Sequence, residues 1–316
     1  MENFPDISKH LHVHDGFCHP DWYAVDDAIH AAVPDSDKNA AWEHAARLWL
    51  SLNAKNLGAD YQLHSTDNFM LLTAAPMRVA KDACQYCEHA LKEIMNLMEG
   101  VAEDEGYGKH VVIMFSKVDD YYRYISHFYP DGENPASSGV CIHSGYDHLV
   151  FPSEDHSQYR TVAVHELTHV CMSHLHIPSW IHEALAMMME EVICGSDNFL
   201  LDKAVYDEHV SHWNSESIQG FWSGDSWSHP DLGFSLSYNL AHILWRKIES
   251  DLSASRDQIV RFVRDADWQD GGEASFQSVF DLSLGALVED FLGEGDWSPK
   301  PHLWPKQDVE DPSRDS

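Results

Sequence analysis

The chain has 316 residues, of which 44% are hydrophobic and 11% aromatic, so it can bury a sizeable core and is not a disordered acidic chain. Its 52 Asp and Glu outnumber 20 Lys and Arg, giving a formal net charge of −32, which excludes nucleic acid and anionic membranes as favoured partners. The first residues lack a basic segment followed by an apolar one, and no run of about 18 apolar residues occurs, so we predict a cytoplasmic protein without a membrane partner.

The first predicted segment is a helical N-terminal extension over residues 1–58. Apolar residues recur at helical spacing over 40–50, and Gly58 is a suitable end for that helix. Residues 61–64 and 69–73 are apolar and β-branched or aromatic in part, and they read as two extended segments around a turn. The sequence therefore predicts a change from helix to sheet near residue 59.

The central part of the chain predicts further strands between helices. A long helix is expected after Pro76, and a buried strand at 111–115 precedes a helix at 119–128. Two more strands are predicted at 139–143 and 149–151, after a loop rich in Gly, Asn, Pro and Ser.

From about residue 158 the pattern changes to helices, predicted at 158–176, 179–194, 235–250, 255–267, 273–281 and 284–293. Strands followed by helices predict an α+β fold, with a small mixed sheet and helices in an N-terminal lobe and a mostly helical C-terminal lobe. We assign residues 59–296 to one domain. The sequence predicts a disordered tail over residues 297–316, because prolines are interspersed with charged residues there.

The segment His165-Glu166-Leu167-Thr168-His169 lies within the predicted helix 158–176. Residues four apart share one face of a helix, so the two imidazoles can reach a single metal ion. Glu166 lies about 100° around the helix from His165, where it can hold a water molecule beside that ion. Because the chain contains 23 histidines, the short motif alone is a weak indicator, and the residues after it carry more weight.

A second helix is predicted directly after the motif, since Pro178 can open it and Ser179 and Trp180 come next. Glu183 falls in the early turns of this helix, fourteen residues after His169. A carboxylate there can complete a set of two histidines and one glutamate. Such a set leaves the fourth zinc position open, as catalytic zinc requires.

Both segments together resemble the gluzincin metallopeptidases, and more closely their peptidase MA-like family. The second gluzincin motif reads roughly W-L-x-E-G-x-A, and the chain has Trp180-Ile-His-Glu183-Ala-Leu-Ala186. The resemblance implies that residues 59–296 are the catalytic domain, with a zincin-like active-site helix between the two lobes. It also implies one zinc ion per chain, bound by His165, His169 and Glu183. It also implies that Glu166 is the general base for a zinc-activated water that hydrolyses a peptide or protein substrate. The chain departs from the family at Ala184, where glycine is usual, and at His182, which could compete as a ligand.

Related gluzincins use a later tyrosine or histidine to stabilise the oxyanion. By resemblance we expect Tyr238 to take this role, with His242, one turn further on, as its rival. Packing in the helical core is the other interpretation of Tyr238. Residues 139–151 could form a strand that binds extended peptide through its backbone, or an ordinary core strand.

Two other classes of function remain open. The first is a catalytically weak or inactive zincin-fold binding protein, suggested by Ala184. The second is a metal-dependent amidohydrolase that uses His12 and His14, which would need a (β/α)₈ barrel that the predicted elements do not supply. Cys84-x-x-Cys87 most simply places two thiols on a helix, since no second pair completes a metal site.

Overall fold

A computed structural model describes residues 4–129, 138–153, 159–195, 201–227 and 232–305. Its helices are α1 Trp22–Ala32, α2 Lys38–Leu57, α3 Met77–Leu97, α4 Val118–Ile125, α5 Tyr159–Met172, α6 Ser179–Met189, α7 Lys203–His212, α8 Ser217–Ser223, α9 Leu232–Ser250, α10 Arg256–Asp265, α11 Glu273–Phe280 and α12 Leu284–Leu292. Its strands are β1 Leu11–His14, β2 Phe17–Pro20, β3 Gln62–Ser65, β4 Phe69–Thr73, β5 His110–Phe115, β6 Val140–Ile142 and β7 His148–Pro152.

The larger sheet has the strand order β3-β4-β5-β7-β6. Its three middle strands run parallel, and β3 and β6 pair antiparallel to their neighbours at the two edges. The parallel strands β4 and β5 read as continuous apolar runs because they are buried on both faces. This small mixed sheet, with the helices before and after it, confirms the predicted α+β fold.

The described residues form two compact units, one from 4–93 with 104–170, and the other from 94–103 with 171–305. The first unit contains both sheets. Tryptophans from α1 and α2 share one core with the larger sheet. This core includes Trp22, Trp42, Trp49, Phe115 and Val150. The N-terminal segment also contains the hairpin β1–β2, which the prediction of a helical extension omitted. The predicted domain boundaries at 58 and 296, and the arrangement of lobes, stay predictions.

All the regular elements in the described residues of the second unit are helices. Its core contains Trp180, Trp222 and Trp245, each at most 1% exposed. Among the helices of the described residues, none is both long and apolar enough to span a membrane.

The predicted tail requires a correction over residues 297–305. The indole Nε1 of Trp222 donates to the carbonyl of Trp297 at 2.8 Å, and Nε1 of Trp304 donates to Oε1 of Gln219 at 3.1 Å. Residues 297–305 therefore pack on the helices. The contacts of Trp297 and Trp304 hold them there, although the prolines suggested disorder. Residues 306–316 of the predicted tail lie outside the described residues.

Candidate metal centre

Helix α5 presents its histidines from a largely buried element. Val164, Leu167 and Thr168 have no exposed surface, and the Thr168 hydroxyl donates to the carbonyl of Val164 at 2.7 Å, which satisfies it within the helix. The apolar residues bury the helix, while His165 and His169 keep part of their surface exposed. A rigid, buried helix of this kind holds its metal-binding face in a fixed orientation.

The two imidazoles of α5 converge. Nε2 of His165 and Nε2 of His169 are 3.1 Å apart. Two nitrogens bound to one zinc ion at tetrahedral geometry would be about 3.3 Å apart, since each Zn–N distance is about 2.05 Å. The spacing of these two atoms therefore fits a shared zinc ion.

Glu183 belongs to the same group, as the sequence predicted. One ligand atom from each of His165, His169 and Glu183 lies within 4.8 Å of the others. Helix α6, which carries Glu183, starts after Pro178, and Nε1 of Trp180 donates to the carbonyl of Gly271 at 3.0 Å. Two imidazoles and one carboxylate form the donor set of catalytic zinc. His182, the possible competitor, is not a member of this group.

The carboxylate of Glu166 is held by the edge of the sheet. Its side chain is buried, and its Oε2 accepts a hydrogen bond from the backbone N–H of Cys141 at 2.8 Å. Cys141 is the middle residue of β6, an edge strand whose only strand neighbour in the described sheet is β7. An N–H on the free side of this strand thus fixes the orientation of the predicted general base.

Close packing keeps β6 next to the helix. A methyl group added at Gly139 would lie 2.4 Å from Cγ1 of Val162 and 2.9 Å from Cβ of Phe151. Only glycine permits this approach of the chain just before β6 to α5. Gly139 therefore helps to keep the Cys141 N–H within reach of Glu166.

Two further residues near Glu166 were not predicted from the sequence. Burial, together with the charges of Glu166 and Cys141, raises the pKa of the Tyr129 phenol. Burial lowers the pKa of His143, but hydrogen bonding to Asp147 and the charges of Asp147 and Glu166 outweigh it and raise the pKa overall. These residues are distant from Glu166 in the sequence and belong to no motif, so only the fold reveals them.

Tyr238, the predicted oxyanion donor, packs among aromatic rings. Its ring centroid lies 4.9 Å from that of Trp227 and 5.0 Å from that of Phe234. Its catalytic role stays a prediction. The rival His242 is buried, with its Nε2 3.1 Å from Oε1 of Glu191 and 3.0 Å from Nε of Arg246. Burial lowers the pKa of His242 although the charge of Glu191 opposes it.

The cysteine pair and the N-terminal histidines lie in other parts of the fold. Cys84 and Cys87 are buried free thiols on α3, and burial raises their pKa values to about 11 and about 12, which disfavours the thiolate that metals need. His12 and His14 lie on β1, in a two-stranded sheet. The described strands form this hairpin and a five-stranded sheet, which contradicts the (β/α)₈ barrel of the amidohydrolase alternative.

No family model and no curated protein matches this chain.

Proposed function

We propose that this protein is a zinc-dependent peptidase of the gluzincin type, similar to the peptidase MA-like family. The observation that carries the proposal is the convergence of His165, His169 and Glu183, whose ligand atoms lie within 4.8 Å of one another. Glu166 lies next to one of these ligands in the same helix. Zinc binding alone does not require that carboxylate, so its presence favours hydrolysis over simple metal binding.

The residues of the chain have separable roles in the proposed reaction. A zinc ion bound to the three ligands would polarise the scissile carbonyl and lower the pKa of a water molecule toward about 7. Glu166 accepts a proton from the attacking water and delivers it to the leaving amine. The Cys141 N–H keeps the Glu166 carboxylate oriented for both transfers.

The substrate we propose is an extended segment of a peptide or protein, bound along β6. This short strand lies at the edge of the sheet, and edge strands can add a further strand through backbone hydrogen bonds. Its N–H at Cys141 already faces Glu166, so a peptide there would lie beside the general base. The net charge of −32 favours cationic over anionic peptides. We place this activity in the cytoplasm, without a nucleic-acid or membrane partner.

The proposal predicts that the centre of His165, His169 and Glu183 holds about one zinc ion per chain, measured as the difference in zinc content between the wild type and the double variant His165→Ala, His169→Ala. Zinc content is measured by atomic absorption, and activity by mass spectrometry of a peptide library with and without a chelator. We expect cleavage that the chelator abolishes and added zinc restores. Zinc in this centre without any cleavage would favour the inactive binding protein, and cleavage that resists the chelator would contradict the proposal.

For the oxyanion donor, we expect Tyr238→Phe to retain zinc and to lower kcat roughly 10²-fold, as loss of such a donor does. Tyr206→Phe is the matched control, because Tyr206 is 37% exposed, and it should leave kcat unchanged. An unaltered kcat in Tyr238→Phe would remove Tyr238 from the site. Tyr129→Phe then tests the phenol whose pKa is influenced by Glu166.

A further inference from the structure

A second group of metal-ligand side chains lies at the end of the β6–β7 hairpin. Cys141 is in β6, His143 comes directly after that strand, and Asp147 directly precedes β7. Residues two apart in an extended chain point to the same face, so Cys141 and His143 are placed side by side. Asp147 returns to them because the connecting turn is short.

The turn that brings Asp147 back is held by a glycine. Gly145 has a φ of +75°, and a Cβ there would lie 2.6 Å from Cβ of Trp22. Both the backbone conformation and the contact require glycine. Trp22 is 5% exposed, so the turn rests on the core of its unit and its geometry is fixed before any ligand binds.

The three side chains meet at one point. One ligand atom from each of Cys141, His143 and Asp147 lies within 4.8 Å of the others, and Nδ1 of His143 is 3.0 Å from Oδ2 of Asp147. The Cys141 end of this group is buried, since Cys141 is 6% exposed. The His143 and Asp147 side chains are 50% and 33% exposed, which leaves a solvent path for an ion.

This group is distinct from the proposed zinc centre. It shares no ligand with His165, His169 and Glu183. Cys141 uses its backbone N–H toward Glu166, so its thiol is not engaged by that hydrogen bond.

We propose that Cys141, His143 and Asp147 form a second cation site, selective for zinc or a similar borderline-soft divalent ion. One thiolate, one imidazole and one carboxylate are ligands that zinc accepts, with water in the fourth position. The thiolate disfavours magnesium and calcium, which prefer oxygen ligands. Binding of the ion displaces the proton of the Cys141 thiol. Where His143 binds through a protonated Nδ1, that proton is displaced as well, so the ion competes with protons for the site. The site does not depend on the proposed peptidase activity.

Cobalt(II) titration of the full-length, chelator-treated protein under reducing conditions tests this site. A thiolate bound to cobalt gives a sulfur-to-metal charge-transfer band in the near ultraviolet, which the two-histidine, one-glutamate set cannot give. We expect this band in the wild type and its loss in Cys141→Ser. The double variant Cys84→Ser, Cys87→Ser is the matched control and should keep the band.

The remaining variants separate the two sites. His143→Gln and Asp147→Asn, at side chains that are 50% and 33% exposed, should each weaken cobalt binding at least tenfold as judged by this band. The double variant His165→Ala, His169→Ala should keep the band, so a failure of the proposed zinc centre does not affect this test. Absence of the band in the wild type, or its persistence in Cys141→Ser, would overturn the second site.

Discussion

Glu166→Gln is expected to retain zinc and to lower kcat on the order of 10²- to 10⁴-fold, the usual contribution of a general acid–base residue. Glutamine keeps the shape of the side chain, and its amide oxygen can still accept from the Cys141 N–H, which is 2.8 Å from Oε2 in the wild type. It cannot take a proton from water. The loss should therefore fall on kcat, with little change in KM. Steady-state kinetics on a cleaved library peptide, together with zinc analysis, measure both quantities.

Glu183→Ala is expected to differ from Glu166→Gln in its zinc content. Removing the third ligand should lose the zinc ion of this centre as well as activity, while Glu289→Gln, at an exposed position on α12, should change neither. Equal zinc content in Glu183→Ala and wild type would remove Glu183 from the centre. A Glu166→Gln variant with full activity would remove Glu166 as the base, whatever its zinc content.

The elements that carry the proposed centre were predictable because their signals are local. The helix predicted at 158–176 is found at Tyr159–Met172, and the helix predicted from 179 starts at Ser179. Helical periodicity places His165 and His169 on one face, and Pro178 gives the start of the next helix. Given those two helices, the sequence already suggested that Glu183 joins the two histidines.

The parts that were missed depend on contacts between distant residues. The hairpin β1–β2 consists of two four-residue strands, too short for a reliable alternating pattern. Helices α7 and α8 were also not predicted. Trp297 and Trp304 look like part of a charged, proline-rich tail until their contacts with Trp222 and Gln219 are known.

Residues beside Glu166 illustrate the same limit within the proposed centre. Cys141 is 25 residues away in sequence and reaches Glu166 through its backbone, so the identity of its side chain gives no signal. Tyr129 and His143 are recognised only by their electrostatic interaction with Glu166. Motifs predict ligands that share a helix or adjacent helices, whereas the surroundings of those ligands depend on the pairing of β6 with β7 and its packing near α5.

Acid is expected to destabilise the first unit strongly, because it contains buried neutral histidines. Burial, with a smaller effect of His127, His12, His148 and His14, lowers the pKa of His19 to about 2. Burial lowers the pKa of His148 to about 4 although its hydrogen bond to Tyr146 opposes this. Nε2 of His148 lies 2.7 Å from the Tyr124 hydroxyl, and its Nδ1 lies 2.8 Å from the Tyr146 carbonyl. The folded state thus holds both rings uncharged.

Proton uptake by the unfolded chain sets the sign of the effect. Below the ordinary histidine pKa of about 6.5, the unfolded chain binds protons that the folded chain cannot accept, so the free energy of unfolding falls as pH falls. Between pH 7 and pH 4 each of the two histidines should contribute a loss of about 3 kcal/mol. The loss of unfolding free energy continues below pH 4 for His19. For His148 it levels off near pH 4, because the folded pKa of His148 is about 4.

His19→Phe isolates one of these contributions. The His19 ring stacks on that of His127, with centroids 3.9 Å apart, and is 2% exposed, and phenylalanine can occupy the same space. Nε2 of His19 is buried and makes no hydrogen bond within the described part of the chain, so its removal should not weaken the fold at pH 7. We expect the fall in unfolding free energy between pH 7 and pH 4 to be smaller by about 3 kcal/mol. Urea unfolding at a series of pH values measures it.

His89→Phe is the control for this experiment, because the His89 side chain is 57% exposed and should leave the pH dependence as in the wild type. A His19→Phe protein with the full acid sensitivity of the wild type would contradict a neutral buried His19. The same result would mean that the fall in unfolding free energy with acid comes from His148 and the carboxylates. Since His19 contacts the rings of His127 and Tyr124, protonation there would place a charge inside the core that also supports the sheet. Acid should therefore disrupt the N-terminal hairpin and the sheet together rather than the hairpin alone.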